Sequence, residues 1–168
     1  MVMIAGNFMR VFEIDNIKKF TSNLFIGKAF DDFLVTEASF STLTNITIDG
    51  HMNREFMGEA ELALPDKDRV ISWRALKPLC YNIIKGQKVP LRFKIIFMMP
   101  TQMVLSFLDD EGLDFEPIEI NALFLNVKFE NNALTCTTGT SMKIFTLDKS
   151  LEDAWECRIM KFLDRMQR

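Results

Sequence analysis

Three side chains that can bind a metal or move a proton stand close together in "TIDGHMNREFMGE", Thr47 to Glu59: Asp49, His51 and Glu55. His51 is the one histidine of the chain, and Glu55 follows it at i+4, so a helix here would stack the two on one face. A catalytic metal needs several deprotonated N, O or S ligands converging at about 2.0–2.3 Å and oriented by outer partners. Asp49, His51 and Glu55, with Asp31 or Asp32, are the set from which a metal-dependent enzyme would be built. A lone histidine excludes a His-rich centre and leaves His51 as the one base for a Ser-His-Asp relay. Against a site, Asp49-Gly50 is a strong turn signal, and the segment beyond it is polar. A solvated turn is the stronger reading, and no cofactor is expected.

Other reactive patterns weaken on inspection. "TTGTS" (Thr137 to Ser141) lacks the second glycine and the lysine of a phosphate-cradling loop, and a tight turn between strands explains it better. Asp31-Asp32 reads as a solvated loop. Cys80 and Cys157 fall on or near apolar helical faces, which favours packing over thiol chemistry.

The charge pattern carries more. No Asp or Glu occurs from Arg69 to Leu108, whereas Arg74, Lys77, Lys85, Lys88, Arg92 and Lys94 all do. Asp109, Asp110, Glu111, Asp114, Glu116 and Glu119 follow, with no Lys or Arg before Lys128. A net charge of −3 hides this division. Alternation along the strand puts Arg92 and Lys94 opposite Leu91 and Phe93, away from the core. The six cations form a candidate patch for a polyanion, nucleic acid included, or for an acidic protein surface. The acidic run either stays solvated, meets that patch within one molecule, or meets it across a homodimer.

Local patterns supply the elements that must position these residues. Met9 to Ile14 reads as a strand, and Asp15 as the N-cap of a helix through Ile17, Phe20 and Leu24, ended by Gly27. "FLVTEASFSTLTNITIDG" is β-branched and alternating, which predicts two strands. Trp73, Leu76, Cys80 and Ile83 share a helical face up to Gly86, with Pro78 requiring either a kink or a start near Lys77. Leu91, Phe93, Ile95 and Phe97 share a strand face. Thr101 caps a short helix carrying Val104, Phe107 and Leu108, and stopped by Gly112. "ALFLNVKFENNALTCTTGTSMKIFTL" predicts three strands turning at Asn131-Asn132 and at Gly139. Ser150 and Asp153 form a capping pair for a last helix with Leu151, Trp155, Ile159, Phe162 and Met166 as its stripe. The class this predicts is α+β, an antiparallel sheet with helices packed on one face. Residues 9–50 and 91–147 both run strand, helix, strand, strand, so two tandem β-α-β-β units are one reading and coincidence is the other.

With 168 residues, 48% of them hydrophobic and 26% charged, the chain suits one globular domain spanning 1–168. Its 16 Phe against one Tyr predict an aromatic core that needs few hydrogen-bond partners. No apolar run reaches the roughly 18–20 residues of a membrane span. "MVMIAGNFMR" lacks the form of a secretory signal, and Met9 offers an alternative start that would make Met1 to Phe8 dispensable. Three cysteines without C-x-x-C spacing favour a reducing, cytoplasmic setting.

"FLVTEASFSTLTNITIDGH", "LKPLCYNIIKG" and "TCTTGTSMKIFTLDKSLEDAW" resemble a family of small bacterial proteins classed as a domain of unknown function. The resemblance runs from about Met9 to the last helix and implies no activity, ligand or catalytic residue. At the level of topology alone, tandem β-α-β-β units also resemble sliding DNA clamps. The chain departs from these at Val104 to Leu108, where a DNA-facing helix would carry Lys or Arg. The expectation is therefore a cytosolic protein that binds through its basic patch, with the metal-dependent enzyme as the rival.

Overall fold

A computed structural model describes residues 2–4 and 7–168. Alternating apolar and polar residues build six antiparallel strands of one sheet: β3 (Val11–Glu13), β4 (Leu34–Ser41), β5 (Asn45–Asp49), β6 (Arg92–Met98), β7 (Ile120–Glu130) and β8 (Ala133–Met142). Their order is β3-β8-β7-β6-β4-β5. Two further strands, β1 (Val2–Ile4) and β2 (Asn7–Met9), pair with each other. The expectation for Met1 to Phe8 falls partly on Met1, Ala5 and Gly6, which lie outside the described residues.

Four helices cover one face of the six-stranded sheet: α1 (Ile17–Phe25), α3 (Trp73–Ile84), α4 (Thr101–Asp110) and α5 (Ser150–Met166). Each turns an apolar stripe inward, such as Leu151, Trp155, Ile159 and Leu163 on α5. These meet Phe40, Phe93, Ile95, Phe97, Leu125 and Val127 of the sheet. The core is α+β and strongly aromatic, as the composition predicts. Both buried indoles find backbone acceptors, Trp73 Nε1–H on the Leu24 carbonyl at 2.8 Å and Trp155 Nε1–H on that of Phe124 at 2.9 Å.

The other face is covered only at one end. There the chain after β5, including the short helix α2 (Glu59–Leu62), crosses back, and Val70 packs on Leu34, Met98 and Ala122. Gly50 makes this crossing possible. Its amide donates to the Thr36 carbonyl at 2.9 Å, and an added Cβ would lie 1.6 Å from the Val35 oxygen. Asp49-Gly50 is thus not a turn but the end of a strand running hard against its neighbour.

Several local expectations shift. Asn16, not Asp15, caps α1 by accepting the Lys19 amide. Ser72 caps α3, which runs unbroken through Pro78 and does not start near Lys77. Leu91 lies outside β6 and is exposed. Pro100 precedes α4, and the carboxylate of Asp68 accepts both the amide and the hydroxyl of Thr101. Asn131 and Asn132 do make the β7–β8 turn with φ of 52° and 60°. Gly139 makes none: it lies within β8 opposite Phe124, and the third strand of the meander is an exposed loop. At α5 the Ser150 amide goes to Asp148, not into a Ser150–Asp153 box. The succession strand, helix, strand, strand occurs twice and each copy closes on an antiparallel hairpin, β4–β5 and β7–β8, but the first strands pair differently: β6 with β4 and β7, β3 with β8.

Candidate anion-binding face

Helix cover on one side leaves side chains of β4 to β8 facing solvent on the other. Strand register arranges them in cross-strand rows. One row runs Asn45, Ser41, Arg92, Glu130, and the next runs Thr47, Ser39, Lys94, Lys128. These eight residues line a concavity of about 370 Å³. Period-two alternation puts them there, because Phe40, Phe93 and Phe129 between them point into the core.

Electrostatics make this face cationic at its centre. Lys94 and Lys128 are directly opposed, an arrangement that disfavours folding unless something neutralises it. Lys128 Nζ reaches Glu130 at 2.8 Å. That hydrogen bond and charge, with Arg92 adding to them, hold the Glu130 carboxyl below its ordinary value of 4.5. Arg92 and Lys94 make no ion pair among the described residues. Ser39, Ser41, Asn45 and Thr47 add hydroxyl and amide groups. Further along the sheet the next row turns acidic at Asp49 and Glu37, which bounds the cationic area.

The six cations of the predicted patch do not converge. Arg92 and Lys94 lie on this face. Lys85 and Lys88 are exposed in the loop between α3 and β6. Arg74 and Lys77 sit on α3, on the helical side, and are engaged. Arg74 bonds Asp32 at 2.9 Å, while Lys77 pairs with Asp31 and donates to the Gly27 carbonyl at 2.6 Å. Asp31 is buried rather than solvated, because Lys77 meets it there. Asp110 and Glu111 of the acidic run find Arg158 of α5, at 3.6 and 2.8 Å. Lys128, the missing member of the face, is legible only as the polar residue between Val127 and Phe129. Which strand lies beside it is a matter of register.

Around His51 the chain is not helical. His51 bridges to Val70, and a short 3-10 turn covers Arg54–Phe56, so Glu55 is not stacked on His51. Asp49 Oδ1 accepts the His51 amide at 3.0 Å and contacts Nδ1 at 2.7 Å. These contacts, backbone first, hold the Asp49 carboxyl below its ordinary 3.8. Among the described residues no group of three or more His, Cys, Asp or Glu is placed to hold a metal ion. Cys80 and Cys136 are buried, and burial pushes the Cys80 thiol up to about 12. Cys157 is exposed, contrary to its expected place on an apolar face.

Together these features define an α+β fold with a helix-covered sheet face and an open cationic one. The chain belongs to the family described as a family of unknown function (DUF5721), which it matches over residues 23–167. No curated protein and no solved structure matches it. Among the described residues no helix is long and apolar enough to cross a membrane.

Proposed function

We propose that the protein binds rather than catalyses, in the cytoplasm, and that its open sheet face takes a polyanionic partner through Arg92, Lys94 and Lys128. The observation that carries this reading is the opposed pair Lys94 and Lys128, beside Arg92, which makes no ion pair among the described residues, on the uncovered face. An anion laid across the two rows would neutralise the pair, and the hydroxyls and amides of Ser39, Ser41, Asn45 and Thr47 would complete its hydrogen bonds. A nucleic-acid backbone is the polyanion of choice, because its phosphates repeat along a strand as these rows repeat across the sheet. The partner would lie on strands, not on helices as in a sliding clamp, so tandem duplication is not needed for it.

Sedimentation velocity at low and high salt, with and without a mixed pool of short DNA and RNA, tests the reading. Co-sedimentation that salt releases supports it, since phosphate contacts displace counterions. A salt-sensitive homodimer that ignores nucleic acid would replace it with pairing between copies.

One observation favours the rival site. Asp49 and His51 line a concavity of about 350 Å³ with Met52, Phe56 and Met57, and Asp49 orients the imidazole. A general base would suit that geometry better than a metal centre with Glu55, which lies in a 3-10 turn rather than on a helix stacked with His51. Loss of stoichiometric divalent metal on His51→Ala would favour the metal version instead.

A further inference from the structure

Another cleft lies on the helical side, at the end of the sheet where the Asn131-Asn132 turn and the start of β6 meet α1. Its volume is about 420 Å³, within the range of small-ligand sites. Phe25, Phe93 and Phe129 form its floor, each at least 94% buried. Phe93 stacks on Phe129 and meets Phe25 edge to face, with ring centroids 5.4 Å apart in both pairs. Ile17 and Thr21, one turn apart on α1, make one wall, and Ile84, Val89 and Pro90 make the other. Val89 is 69% exposed although the cleft beside it is apolar.

The polar part of the lining is one-sided. Lys18 is the sole charged residue in it, joined by Thr21 and Asn132, and no Asp or Glu takes part. Ile17 and Lys18 are also the first two residues of α1, where Asn16 caps the amide of Lys19. Their own amides make no hydrogen bond among the described residues. The lysine therefore favours an anion at the mouth of an otherwise apolar cleft. A neutral apolar ligand would leave this cation unused, and a polyanion would leave the aromatic floor uncovered.

We propose that this cleft binds a monocarboxylate with a medium-length apolar tail, the tail on Phe25, Phe93 and Phe129 and the carboxylate at Lys18. The inference stands apart from the open-face reading. That face lies on the far side of the sheet, and its cations are not used here.

Calorimetric titration with decanoate and with decanol tests it, on the wild type and on Thr21→Phe, Val89→Asp and Lys18→Glu. Expected are one decanoate per chain, at least tenfold tighter than decanol, and loss of binding when Thr21→Phe fills the cleft. Val89 is exposed in a loop, so Val89→Asp keeps the fold and should abolish binding even if Thr21→Phe unfolds. Lys18→Glu should weaken decanoate about tenfold and leave decanol unchanged. No saturable decanoate binding would overturn the proposal. So would equal affinity for the alcohol, or indifference to Lys18→Glu. Heparin binding by the Thr21→Phe protein reports separately on the open face.

Discussion

Lys94 of β6 and Lys128 of β7 stand directly opposite each other on the uncovered face of the sheet. Like charges in that position disfavour folding by roughly 0.2–1 kcal/mol. Lys94→Thr should therefore stabilise the free protein by up to about 1 kcal/mol at low salt and weaken polyanion binding. Urea titration beside fluorescence anisotropy checks both. A substitution that destabilises and leaves binding intact would show that the pair is merely surface.

Salt gives a quantitative version. Single-stranded nucleic acid releases counterions with a slope of about −0.7 per phosphate contact, so three cations predict a log–log slope near −2 for the wild type. Arg92→Gln should reduce its magnitude by about 0.7. A slope unchanged in Arg92→Gln would place the contacts elsewhere.

Gly50 is the backbone residue the crossing cannot replace. A methyl group there meets the Val35 carbonyl at 1.6 Å, and backbone cannot yield as a flexible side chain can. Gly50→Ala should cost at least ~3 kcal/mol, beyond ordinary overpacking. Thermal unfolding measures it, and a shift within error would mean the β5 end moves freely.

The last helix is anchored by its tryptophan. Trp155 is 1% exposed, meets Phe107 edge to face at 5.6 Å, and donates to Phe124. Trp155→Ala should cost roughly 3–5 kcal/mol in denaturant titration. A loss under ~1 kcal/mol would mean that α5 does not depend on this ring.

Acid should act through Asp49. Its folded-state pKa lies below the ordinary value of 3.8. A lowered carboxyl contributes stability that is present above the unfolded pKa and lost as pH falls through the folded one. The difference in Tm between wild type and Asp49→Asn should thus shrink as pH drops below about 4. A constant difference from pH 7 to pH 2 would remove the linkage.

The elements were largely legible because their signals are local. Phe93, Ile95 and Phe97 alternate within one strand, and Leu151, Trp155 and Ile159 recur within one helix. Where the outcome hung on a neighbour, sequence failed. Gly139 looks like a turn glycine until Phe124 is placed across from it, and Gly50 looks like one until Val35 is. The cationic stretch from Arg69 to Lys94 was visible, but linear proximity is not surface proximity. Lys77 turned inward to Asp31, and Lys128 joined Lys94 from 34 positions away through the β6–β7 register.

Mapping amide shifts of the isotopically labelled protein during titration with a short single-stranded oligonucleotide tests the central claim most directly. The largest changes should fall on Ser39, Ser41, Arg92, Lys94 and Lys128, fade towards Glu37 and Asp49, and vanish at high salt. Changes centred on α3 around Arg74 and Lys77, or none at any concentration, would contradict it.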